Sequence, residues 1–84
     1  MAAGGLVLTV YGRSYCSLCT DMLAALRNLQ PHYEFRLDWV DIEDVDELEA
    51  RFGEKVPVLM AGGEELCHYH LDHAKLDALF PQMR

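Results

Sequence analysis

Two cysteines three residues apart, in Cys16-Ser17-Leu18-Cys19, are the side chains of this sequence best suited to chemistry. A thiol attacks a disulfide as its thiolate, and a second thiol one helical turn away can then attack the mixed disulfide that forms. A helix starting at the motif puts Cys16 at its N-terminus, where backbone N–H groups and the positive end of the helix dipole favour a thiolate. Cys19 then lies one turn further in, shielded from a bulky substrate. The spacing therefore predicts Cys16 as nucleophile and Cys19 as resolving thiol. Thiolates also bind zinc, and Cys67, His68 and His70 supply further ligand types. Strand alternation opposes that set, because Cys67 and His68 face opposite sides of a sheet and a lone strand cysteine is usually a small buried hydrophobe. His70 and His73 read as exposed residues at a helix start, and no metal site is expected.

The elements that position the dithiol follow from periodicity. Leu6 to Tyr11 is rich in β-branched and aromatic residues and stops at Gly12, which predicts a buried first strand leading into the motif. Leu18, Met22, Ala25, Leu26 and Leu29 fall at helical spacing, with Asp21, Arg27 and Asn28 on the other face and Pro31 closing the helix. Phe35, Leu37 and Trp39 alternate with polar residues in a second strand running to about Ile42, with Phe35 and Trp39 in its core. Asp44 and Glu47 form a capping-box pattern ahead of Val45, Leu48 and Phe52, so a second helix ends at Gly53. Val56 to Met60 and Glu64 to Tyr69 flank Ala61-Gly62-Gly63 as a hairpin. Asp72 caps a last helix with Leu71 and Leu76 as its staple, Leu79 and Phe80 on its apolar face and Pro81 at its end. The order is βαβαββα, with the first two strands parallel through a right-handed crossover.

At 84 residues with 51% hydrophobic side chains, the chain supports one core, so residues 1–84 are expected to form one domain. Residues 1–5, MAAGG, are small and expected to be flexible, and the apolar stretch after them is too short for a signal-peptide core or a membrane span. The expected location is the cytoplasm. Fourteen acidic against seven basic residues leave a net charge of −7, which repels nucleic acid and anionic membrane surfaces. The acid run from Asp41 to Glu49 reads as a solvated helix face. Three cysteines, two of them in a CxxC, are not the framework of a disulfide-stapled secreted domain.

The CxxC between first strand and first helix, together with Val56-Pro57 opening the third strand, resembles the glutaredoxin and thioredoxin superfamily over nearly the whole chain. Cys16-Ser17-Leu18-Cys19, Val56-Pro57-Val58-Leu59 and Glu65-Leu66 ahead of Asp72 are similar to a bacterial glutaredoxin-like family whose members are largely uncharacterised. The resemblance implies an α/β thioredoxin-like fold, with a four-stranded mixed sheet flanked by three helices. It implies a cis bond before Pro57, and a Val56 backbone that pairs with an extended substrate segment. Arg13 stands where many glutaredoxins carry a lysine, and a cation there would favour the thiolate and attract a substrate carboxylate. Tyr15 would wall the sulfur. Asp72 is the one residue retained from the site that holds the γ-glutamyl end of glutathione in glutaredoxins. Ser17 replaces the proline common in dithiol members.

The implied activity is thiol-disulfide exchange by a monomer. Its partner would be a disulfide-containing protein or a low-molecular-weight thiol, with glutathione as the candidate reductant and no other cofactor. The competing expectation is a non-catalytic module, either an adaptor or a carrier of metal or of an iron-sulfur cluster with Cys16 as ligand.

Overall fold

A computed structural model describes residues 6–80. Residues 1–5 and the expected helix stop at Pro81 lie outside the described residues. Leu8 and Val10 are fully buried on alternate positions of β1 (Val7–Gly12), an interior strand of a four-stranded sheet with order β2-β1-β3-β4. Helix α1 (Ser17–Leu29) buries Cys19, Met22 and Leu26 at helical spacing and carries the chain back to β2 (Arg36–Asp41), which pairs with β1 in parallel. Helix α2 (Asp46–Phe52) leads to β3 (Val58–Ala61), antiparallel to β1, and the Gly62-Gly63 turn returns the chain as β4 (Glu64–His68). Gly62 takes φ +65°, a conformation that glycine adopts without penalty. Helix α3 (His73–Asp77) completes the expected βαβαββα order.

The two sheet faces hold separate clusters. Leu8, Val10, Leu59 and Cys67 pack with Met22 and Leu26 of α1 and with Leu76 and Phe80 around α3. On the opposite face Ile42, Val58 and Met60 pack with Phe52 of α2, against which Tyr11 stacks with ring centroids 4.6 Å apart. The CxxC thus sits at the C-terminal end of an interior strand, with α1 above it and α2 on the far face.

Four local expectations change, the first being that α3 ends at Asp77, which leaves Leu79 and Phe80 beyond the helix, with Phe80 still packed in the core. The capping box at Asp44 does not form: Asp44 adopts φ 66°, Val45 takes the N-cap position, and no side chain caps α2. An N-cap needs extended backbone, whereas Asp44 sits in the left-handed region that aspartate tolerates. Asp46, Glu47 and Glu49 in the first turn face the helix dipole instead. The sheet ladder begins at Val58 rather than at Val56, since Pro57 has no N–H to give. Trp39 is 36% exposed because β2 is an edge strand, a position that the alternation of its residues does not reveal.

Candidate active site

β1 ends in Gly12, and Arg13-Ser14-Tyr15 turns the chain into α1. The Cys16 N–H donates to the Arg13 carbonyl at 3.2 Å, which closes this turn. Cys16 has extended backbone and is the N-cap of α1, and its sulfur accepts the Cys19 N–H at 3.2 Å, as an N-cap serine or aspartate would. Cys16 is partly exposed, whereas Cys19 is 1% exposed, so the two thiols differ in access as the spacing predicts.

The Cys19 sulfur is packed against the end of β1. A β-carbon at Gly12 would stand 2.6 Å from it and 2.9 Å from Cη2 of Trp39, so only a glycine leaves room there. Burial, followed by a hydrogen bond with Cys16, pushes the Cys19 thiol up to about 11, while the Arg13 backbone amide and guanidinium act in the other direction. Gly12 and Trp39 were absent from the sequence-based site. The glycine at the strand end was legible only as a strand stop, and nothing local marks what lies over it.

Arg13, expected to favour the thiolate and attract a substrate carboxylate, is held by a carboxylate of the chain itself. Its Nη1 and Nη2 donate to Glu49 Oε2 and Oε1 at 2.6 and 2.5 Å, and Nη2 also approaches the Gly53 carbonyl at 3.4 Å. The pair is partly buried, at 18% and 34% side-chain exposure, and each partner favours the charged form of the other. Glu43, Asp44, Asp46 and Glu47 of the acid run are exposed, as the sequence reading has them, whereas Asp41 is half-buried at the end of β2 with Oδ1 accepting the Glu43 N–H at 2.9 Å, and Glu49 is paired with Arg13. No sequence signal marks it, because 36 residues separate it from Arg13. Tyr15 is 70% exposed beside the motif.

The β1–β3 register ends at Tyr11 and Val58, so Val56 and Pro57 precede β3 at the same end of the sheet where Gly12 and Arg13 lead from β1 to the dithiol. The Val56–Pro57 bond is cis, Pro57 is fully buried, and its carbonyl accepts the Tyr69 N–H at 2.9 Å. Tyr69, at φ 66°, leaves β4 there, and its hydroxyl donates to the Glu54 carbonyl at 2.7 Å. Tyr69, His70 and Leu71 face Leu18, Met22 and Ala25 of α1 across a groove of about 200 Å³ that runs from the motif. Asp72 spends one carboxylate oxygen on capping α3, accepting the Lys75 N–H at 3.1 Å. Cys67 faces the core, with the Asp72 N–H 3.5 Å from its sulfur, while His68 points outward to Glu65 at 2.7 Å. The geometry brings Cys16, Cys19, Arg13, Val56 and Pro57 to one end of the sheet, and it leaves Cys67 buried behind the α3 cap.

Among the described residues, no helix is long and apolar enough to cross a membrane. No curated protein matches the chain. Among solved structures, a Nitrosomonas europaea protein is 41% identical, with a TM-score of 0.80 over 87% of this chain and 88% of that one. A protein from X. campestris is 33% identical, with a TM-score of 0.69 over 89% and 96%. Thioredoxin-2 of a malaria parasite, at 20% identity and a TM-score of 0.60 over 92% and 82%, shares the fold. The topology is therefore thioredoxin-like, and the glutaredoxin-like domain (DUF836) matches residues 7–80. With the fold, the two bacterial relatives and that match in agreement, this chain belongs to the glutaredoxin-like family.

Proposed function

We propose that this protein is a thiol-disulfide oxidoreductase in which Cys16 attacks and Cys19 resolves. The observation that carries this reading is the unequal placement of two sulfurs one turn apart: Cys16 caps the helix at the surface, and Cys19 lies buried beneath it. The Cys16 thiolate displaces one sulfur of the substrate disulfide, which leaves as a thiolate, and a mixed disulfide forms. Cys19, once deprotonated, attacks the Cys16 sulfur and releases the second substrate thiolate. The substrate disulfide gains two electrons and the Cys16–Cys19 pair loses them, and the protons lost by the protein thiols end on the released thiols or in water.

An extended segment of a protein substrate would pair with the backbone at Val56, which lies outside the sheet ladder. Substrates in this reading are disulfides of proteins or of low-molecular-weight thiols. A thiol such as glutathione returns the pair to its reduced form in the cytoplasm, and the protein works as a monomer. Arg13 supports the dithiol in this reading, since its guanidinium is already held by Glu49.

The test is the reduction potential of the pair, measured against glutathione buffers with Cys67 replaced by Ser. A reversible two-electron transition between about −120 and −270 mV is expected. Its absence, with bound zinc or a cluster absorbance in its place, would sink the oxidoreductase reading.

A further inference from the structure

Arg13 touches the dithiol through its main chain and α2 through its side chain. Its carbonyl accepts the Cys16 N–H at 3.2 Å. Its backbone follows Gly12, against which the Cys19 sulfur is packed so tightly that a β-carbon would stand 2.6 Å away. At the other end its guanidinium is gripped by both oxygens of Glu49, in the fork-to-fork geometry that fixes orientation as well as charge. Gly53, next along from α2, completes the grip: a β-carbon there would stand 2.5 Å from the Glu49 carbonyl and 3.4 Å from Arg13 Nη2. α2 packs on the opposite sheet face from α1. The clamp therefore ties the turn before Cys16 to an element packed on the far face of the sheet.

We propose that Glu49 is a positioning residue for the resolving step, holding Arg13 so that its main chain fixes the turn against which Cys19 is seated. The proposal rests on the oxidoreductase reading for its catalytic consequence. Glu49 touches neither sulfur and acts only through Arg13. Its removal has two opposed effects on Cys19. An unclamped turn withdraws the Arg13 amide from the sulfur, and a guanidinium without its carboxylate presents more positive charge. The loss of seating is expected to prevail, because the Cys19 sulfur packs against the turn itself, whereas the guanidinium lies out on Glu49.

The test follows the two releases of thionitrobenzoate when the reduced protein, with Cys67 replaced by Ser, meets dithiobis(nitrobenzoate). The first release reports attack by Cys16 and the second reports resolution by Cys19. In Glu49→Ala the second release is expected to slow about fivefold more than the first. Glu49→Gln, which keeps one oxygen for Arg13, should fall between it and the parent protein. In parallel, the thiolate ultraviolet absorbance of Cys19, read with Cys16 also replaced by Ser, should titrate at higher pH in both variants. Equal slowing of the two releases, or an unmoved or lowered Cys19 titration, overturns the positioning role. Should Glu49→Ala not fold, Glu49→Gln carries the same comparison. A parent protein that releases no second equivalent overturns the oxidoreductase reading instead, and the absorbance titration still decides the role of Glu49.

Discussion

An alanine at Gly12 would place its methyl carbon 2.6 Å from the Cys19 sulfur. The same carbon would meet the Trp39 ring at 2.9 and 3.0 Å, so the glycine, the buried Cys19 thiol and the edge-strand indole share one contact point. Gly12→Ala is expected to destabilise the fold by about 1–3 kcal/mol through overpacking. It should slow resolution by Cys19 more than attack by Cys16, as seen in denaturant unfolding and in single-turnover release of a chromogenic thiol. A variant with parent stability and parent kinetics would show that the site has slack that the packing does not contain.

Trp39 is the single tryptophan of the chain, so its emission reports one place. A Cys16–Cys19 disulfide would draw the Cys19 sulfur toward Cys16 and away from the point beside Gly12 that it shares with the indole. The fluorescence intensity should change with the same midpoint potential as the thiol count, and Cys19→Ser should abolish the change. A redox-silent emission would separate the indole from the dithiol.

Cys19 titrates at about 11 because burial, then its hydrogen bond with Cys16, disfavour the thiolate. Below that value the resolving step should accelerate about tenfold per pH unit, since the attacking thiolate fraction grows by that factor. The folded pKa is raised above the ordinary value of 9.0, so the unfolded chain loses this proton first as pH rises. The stability contribution is complete below pH 9 and is lost between about pH 9 and pH 11. Denaturant midpoints across that window, compared with those of Cys19→Ser, isolate this share.

Asp72 caps α3 through the Lys75 N–H. Asp72→Ala should cost about 1 kcal/mol of stability, the usual value of a lost N-cap. Turnover of an uncharged disulfide should stay as it is. A raised KM confined to glutathione-bearing substrates would return Asp72 to the binding site that the family resemblance implies.

Local physics made much of this molecule legible before any fold was seen. Strand alternation around Leu8 and Val10, helical spacing from Leu18 to Leu29, the Asp72 cap and the glycine turn are each decided within a few residues, and each stands where the pattern put it. The unequal exposure of the two cysteines was legible for the same reason, because three residues and one helix start determine which sulfur is exposed. Asp44 misled because its propensity fits both a cap and a left-handed turn, and it adopts the second.

The surroundings of the dithiol belong to tertiary structure. Glu49 reads as one carboxylate among six until α2, 36 residues from Arg13, is folded beneath the turn. Trp39 reads as core until strand order leaves β2 at the sheet edge. Gly12 reads as a strand stop until Cys19 and Trp39 converge on the space where its side chain would be. The sequence by itself determined the elements and the placement of the cysteine pair, since short-range sterics and hydrogen bonding suffice for both. Only the folded chain decided which distant groups hold that pair, because such contacts depend on sheet order and helix packing that no local pattern encodes.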